Sequence, residues 1–134
     1  MSLLMLVFAQ MSAQINWPDV CDEDVITNLD AEFDLSAAEV ELSWDFDFEP
    51  DCGGPPCPPF FIPYLIEYTF GKRGPGGTIT WSFPTTQSFN IISTETNPTF
   101  TMPVFKGQHY ISYRLKINDA ICTVWEDWYT EQLN

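Results

Sequence analysis

Cys21, Cys52, Cys57 and Cys122 are the four thiols of this 134-residue chain, and their chemistry depends on the compartment. Oxidising surroundings turn thiols into disulfides, whereas a reducing interior leaves them as metal ligands or nucleophiles. The start of the chain speaks to that choice. Residues 3–9 (LLMLVFA) followed by Ser12 and Ala13 read as a secretory leader cleaved after a small residue, which makes residues 1–13 a signal peptide and puts residues 14–134 at the cell surface or outside the cell. Leaders normally open with a positive charge, and the first basic residue here is Lys72. The other reading of the run is a short buried strand or helix, because it is far shorter than the roughly 20 residues of a membrane span. Export favours disulfides over the four-thiolate zinc site that Cys52-x4-Cys57 with Cys21 and Cys122 could also supply.

Carboxylates are the second chemically loaded set. Thirteen of the 19 Asp and Glu fall between Asp19 and Asp51, a stretch without Lys or Arg, and the net charge is -14. Such a charge repels phosphate backbones and anionic headgroups, so nucleic acid and bare membrane are not expected partners. Asp22, Asp24, Asp47, Asp51 and Asp119 form a calcium candidate, since calcium takes clustered oxygens at flexible geometry. No Asp-x-Asp-x-Asp-Gly loop supports it, and solvated charge is the plain alternative.

Catalysis finds little footing. His109 is the single histidine and lies in an expected turn, with no Ser or Cys at a spacing that implies a base beside it. Carboxylates are too abundant for any pair to stand out as glycosidase acid and nucleophile. Gly74-Pro75-Gly76-Gly77 lacks the Lys-Ser/Thr of a phosphate loop and reads as a hairpin turn. The aromatics are more suggestive. Trp81, Trp125, Trp128 and Tyr129 are ligand-binding candidates: in a strand alternating faces, Trp125 and Trp128 cannot both be buried, and an exposed indole flanked by acids could hold a sugar or a protein partner.

The elements that would carry these residues are strands. Short aromatic and β-branched runs broken by Pro, Gly, Asn and Asp place strands at 26–33, 40–48, 64–70, 78–83, 89–94, 99–102, 110–117 and 123–129. Val40, Leu42, Trp44, Phe46 and Phe48 alternate with polar residues, as do Ile111, Tyr113, Leu115 and Ile117, so each strand has a core face and a wet face. The run at 78–83 belongs at an edge. The fold class is all-β, a two-layer antiparallel sandwich of seven or eight strands in a single domain.

Trp44 on the second strand, Tyr64-x-Ile66-x-Tyr68 on the third and Val104-Phe105-Lys106-Gly107-Gln108-His109-Tyr110 before the seventh resemble a fibronectin type III-like, immunoglobulin-like domain over about residues 25–129. The last stretch resembles the family's tyrosine corner, with Lys106 at the expected Pro, and the resemblance implies a Tyr110 hydroxyl bonded back to the turn. An inward Tyr110 conflicts with the apolar phase of Ile111 and Tyr113 unless a bulge intervenes. The family topology implies that the start of the first strand, the loop 50–63 and the loop 118–122 share one pole. Every cysteine then lies there, which implies pairs Cys21 with Cys122 and Cys52 with Cys57, the second bracketing a turn-forming Gly-Gly-Pro-Pro.

The expectation is a secreted, non-enzymatic module for binding, adhesion or assembly, with a protein or glycan surface as partner and no cofactor beyond the calcium candidate. One alternative is a carbohydrate-binding module. Another is a structural subunit that keeps its apolar N-terminus and donates it as a strand to a neighbour.

Overall fold

A computed structural model describes residues 25–48, 58–119 and 122–133. Eight strands form two antiparallel sheets: β1 (Ile26–Asp34), β2 (Glu39–Phe46), β3 (Phe61–Arg73), β4 (Ile79–Trp81), β5 (Thr85–Ile92), β6 (Thr99–Pro103), β7 (Tyr110–Ile117) and β8 (Tyr129–Gln132). One sheet has the order β1-β2-β6. The other runs β4-β3-β7-β8, and β5 pairs with β3 on the β4 side. Their packed inner faces make a two-layer β-sandwich.

Alternation decides what is buried. Val40, Leu42, Trp44 and Phe46 of β2 face Ile62, Tyr64 and Ile66 of β3 and Ile111, Tyr113, Leu115 and Ile117 of β7, all in one core cluster. The aromatic rings interlock at their preferred angles: Trp44 meets Tyr64 edge-on at 5.4 Å, and Tyr64 stacks on Phe89 at 5.5 Å. Trp44 Nε1 and Tyr64 OH are buried with no hydrogen-bond partner of good geometry among the described residues, and burial, opposed by the neighbouring Trp44 side chain, pushes the Tyr64 phenol above its ordinary pKa.

Turns follow local chemistry. The Asp34 carboxylate accepts bonds from the Ser36 hydroxyl at 2.6 Å, the Ser36 N–H at 3.0 Å and the Ala37 N–H at 3.3 Å, closing the β1–β2 turn. Those bonds, the hydroxyl's first, hold its pKa below the usual value. The β3–β4 connection is the expected glycine hairpin, with Gly76 at φ 72° and Gly77 at φ 80°, a region that favours glycine.

The expected strands need three adjustments. β3 begins at Phe61 and β5 at Thr85 because each finds the other as a continuous eight-pair partner. The final strand is not at 123–129; β8 spans Tyr129–Gln132. Before it, the chain runs beside β7, where the Glu126 N–H donates to the Leu115 carbonyl at 2.9 Å. The β4 run lies at an edge, as its exposed residues suggest.

The expected Tyr110 corner is also absent. β7 keeps the phase of Ile111, Tyr113, Leu115 and Ile117 without a bulge, so Tyr110 points to the outer face, and its hydroxyl accepts from Arg73 Nη2 at 3.3 Å. The long-range tyrosine tie is Tyr113, whose buried hydroxyl crosses between sheets to β1.

Candidate functional site

The outer face of the five-stranded sheet gathers what the sequence scattered. In β3, residues 67, 69, 71 and 73 share this face, opposite Arg114, Ser112 and Tyr110 of β7. Gly71 pairs with both Tyr110 and Trp81, and the Trp81 ring lies across it. A Cβ at Gly71 would stand 2.8 Å from Ile79 Cγ2 and 3.0 Å from Trp81 Cζ3, so the missing side chain is what lets the indole settle on the sheet. Trp81 meets Tyr110 at 6.4 Å between centroids, and the Arg73 guanidinium stands 5.4 Å from the Tyr110 ring.

A second aromatic group sits four residues along β7, about 13 Å away at the rise of an extended strand. Arg114 places its guanidinium 4.6 Å from the Trp125 ring centroid and 4.7 Å from that of Trp128, while Lys116 Nζ stands 5.1 Å from Trp125. Glu67 directs the guanidinium, taking Nη2 at 2.7 Å and Nε at 2.9 Å. Ser112 and Thr130 join hydroxyls at 2.8 Å between the two groups.

Trp81 and Trp128 are about two-fifths exposed, and Trp125 is half-buried. Three of the four aromatic candidates thus share one surface. Neither Trp125 nor Trp128 enters the core, since their segment is not a strand and Arg114 draws both outward. Tyr129 does not belong with them: it points to the opposite side of β8, edge-on to Tyr113 at 5.8 Å, and its hydroxyl donates to Asp30 Oδ1 at 3.2 Å or Glu131 Oε1 at 2.7 Å. Burial first, then the two carboxylates, raises its pKa.

No family model, curated protein or solved structure matches this chain. The surface itself therefore has to carry any functional reading.

Charge separates between the two outer faces. Arg73, Arg114 and Lys116 lie with the tryptophans, whereas the outer face of β1-β2-β6 sets Glu32 opposite Glu41 and Asp34 opposite Glu39 around an open concavity of about 500 Å³. Like charges across a strand pair repel. Among the described residues no group of three His, Cys, Asp or Glu could hold a metal ion. Of the calcium candidates, Asp47 and Asp119 are described, while Asp22, Asp24 and Asp51 lie outside the described residues. Cys122 is buried at the pole where β7 ends and is not a free thiol. Cys21, Cys52 and Cys57 lie outside the described residues. His109 is held structurally: its Nδ1 accepts the Arg73 backbone N–H at 3.0 Å.

Sequence reasoning missed Arg73, Glu67 and Arg114 as parts of this surface. Alternation had placed Arg114 and Lys116 on the wet face of β7, but nothing local to them reveals that residues 122–128 run alongside.

Proposed function

We propose that this chain is a secreted, non-enzymatic binding module that engages its partner through the outer face of β4-β3-β7-β8. One observation carries the reading: Trp81, Trp125 and Trp128, from two distant segments, lie on the same outer face with Tyr110, Arg73 and Arg114. Large rings left outside a well-filled core, with guanidinium groups among them, have the composition of an interface hot spot.

The strand order supports the finer family reading. β1-β2-β6 against β3-β7-β8 corresponds to strands A, B and E against C, F and G of an immunoglobulin-like Greek key, and the buried Trp44 sits on the second strand. A Cys21–Cys122 disulfide fits a buried Cys122 that is not a free thiol, and fits export.

A glycan is the second reading, favoured by Trp81 and Trp128, which expose rings suited to stacking on pyranose faces. Glycan-array and cell-surface binding, measured with the wild type and with Trp81→Ala and Trp128→Ala, tests both. Loss of at least about tenfold in affinity in either variant supports the surface. Retained binding in both overturns it. A partner found on cells but on no glycan leaves the module standing and removes the carbohydrate reading.

A further inference from the structure

We propose that β5 is a self-association edge, on which two copies of this chain pair antiparallel through Thr86, Ser88 and Asn90.

The backbone sets the geometry. Among the described residues β5 is bonded on one side only, to β3, over eight consecutive pairs from Phe61↔Ile92 to Tyr68↔Thr85 without a bulge. The Ser93 N–H continues that ladder, donating to the Phe60 carbonyl at 2.7 Å, whereas the Ile92 carbonyl turns the other way and accepts from the Glu95 N–H at 3.0 Å. In an antiparallel pair the backbone groups of successive residues point to alternate sides. Odd-numbered residues of β5 therefore face β3. Thr86, Ser88 and Asn90 present N–H and C=O groups to the open edge, where no bond within the described residues takes them.

The other edges carry the usual defences. β1 has a register shift between Thr27 and Asp30, with Asn28 at φ 54°, and bears Asp30, Glu32 and Asp34. β6 is five residues long and ends in Pro103, β4 has three residues and β8 four. β5 has none of these features: TTQSFNII contains no charge, proline or glycine. A long, regular, uncharged edge is a template for another strand.

The charge balance favours a second copy as that strand. Copies of a chain with net charge -14 repel over most of their surfaces, but two β5 edges meet without a single ionised side chain on either strand. Pairing about a two-fold axis at Ser88 sets Thr86 opposite Asn90 in both directions and keeps every side chain on its own face. Both members of each of these pairs present their backbone groups to the shared edge, so the N–H groups of all three residues find acceptors. Only backbone and short side chains are joined, so the dimer is a weak one, formed at high concentration.

Sedimentation equilibrium of the full chain from about 10 µM to 1 mM tests it. The expected result is a monomer–dimer equilibrium that tightens with added salt, because screening reduces repulsion between the copies. Ser88→Pro removes the axial N–H, which β3 does not use, so the monomer folds while association weakens at least tenfold. Asn90→Asp does the same by adding to the repulsion between two already anionic copies, and serves if the proline variant loses its β-sheet circular dichroism. A monomer throughout the range, or a dimer that neither substitution weakens, overturns the proposal. Association abolished by deleting residues 1–14 points to a donated N-terminal strand as the occupant and overturns it as well.

Discussion

The Tyr113 hydroxyl, fully buried on β7, accepts the Asp30 backbone N–H at 3.1 Å and donates to the Asp30 carbonyl at 2.7 Å, where β1 shifts register. The Ser43 carbonyl lies 2.9 Å from the same oxygen. One side chain thus satisfies backbone groups that the irregular β1–β2 ladder leaves over and couples the two sheets.

Tyr113→Phe keeps the ring and removes the tie. Partly buried backbone groups at Asp30 lose their partner, and the expected cost is about 1–3 kcal/mol in urea unfolding. A change within experimental error would show that water replaces the hydroxyl without loss.

Alkaline pH weakens the fold through the same tyrosine. Burial first, offset by the Asp30 backbone bond, pushes the Tyr113 phenol above its ordinary value, and burial does the same for Tyr64. A phenol with a raised folded pKa contributes stability that is complete below its unfolded value and fades as pH climbs toward the folded one. Unfolding free energy should be insensitive to these groups up to about pH 10 and fall above it. Tyr113→Phe should flatten that fall.

Gly71→Ala puts a methyl group into the space of Ile79 and Trp81. Both side chains must move, with an expected loss of about 1–2 kcal/mol and a changed Trp81 environment. Near-ultraviolet circular dichroism would report the displacement, and an unaltered spectrum would contradict the packing.

Glu67→Gln separates structure from surface. The pair is partly exposed, so stability should change by less than about 1 kcal/mol. Freed of its carboxylate, Arg114 should hold Trp125 and Trp128 less firmly, visible as increased quenching of tryptophan fluorescence by acrylamide. Equal quenching in both proteins would mean that the cation–π contacts alone fix the arginine.

Reduction tests the proposed Cys21–Cys122 link. A loop of about a hundred residues predicts a loss of roughly 4–5 kcal/mol in the chain-entropy model. An unchanged melting temperature in reductant, or peptide mapping that finds Cys21 unpaired, would remove it.

Alternation of apolar and polar residues in β2 and β7 was enough to specify two-faced strands, the inward set around Trp44 and Tyr113, and hence the sandwich, because a period of two survives in any register. The glycine hairpin after β3 was equally legible, since the backbone geometry at Gly76 and Gly77 is a local matter. Three things required the tertiary structure. Arg114 meets Trp125 and Trp128 only because residues 122–128 run beside β7, a non-local pairing with no strand pattern of its own. Tyr113, not Tyr110, ties the sheets because phase along β7 outweighs likeness to a corner motif. The open edge of β5 exists because β3 is paired on its other side by β7, and neighbours in a sheet are set by how two sheets close on one another, which no stretch of sequence records.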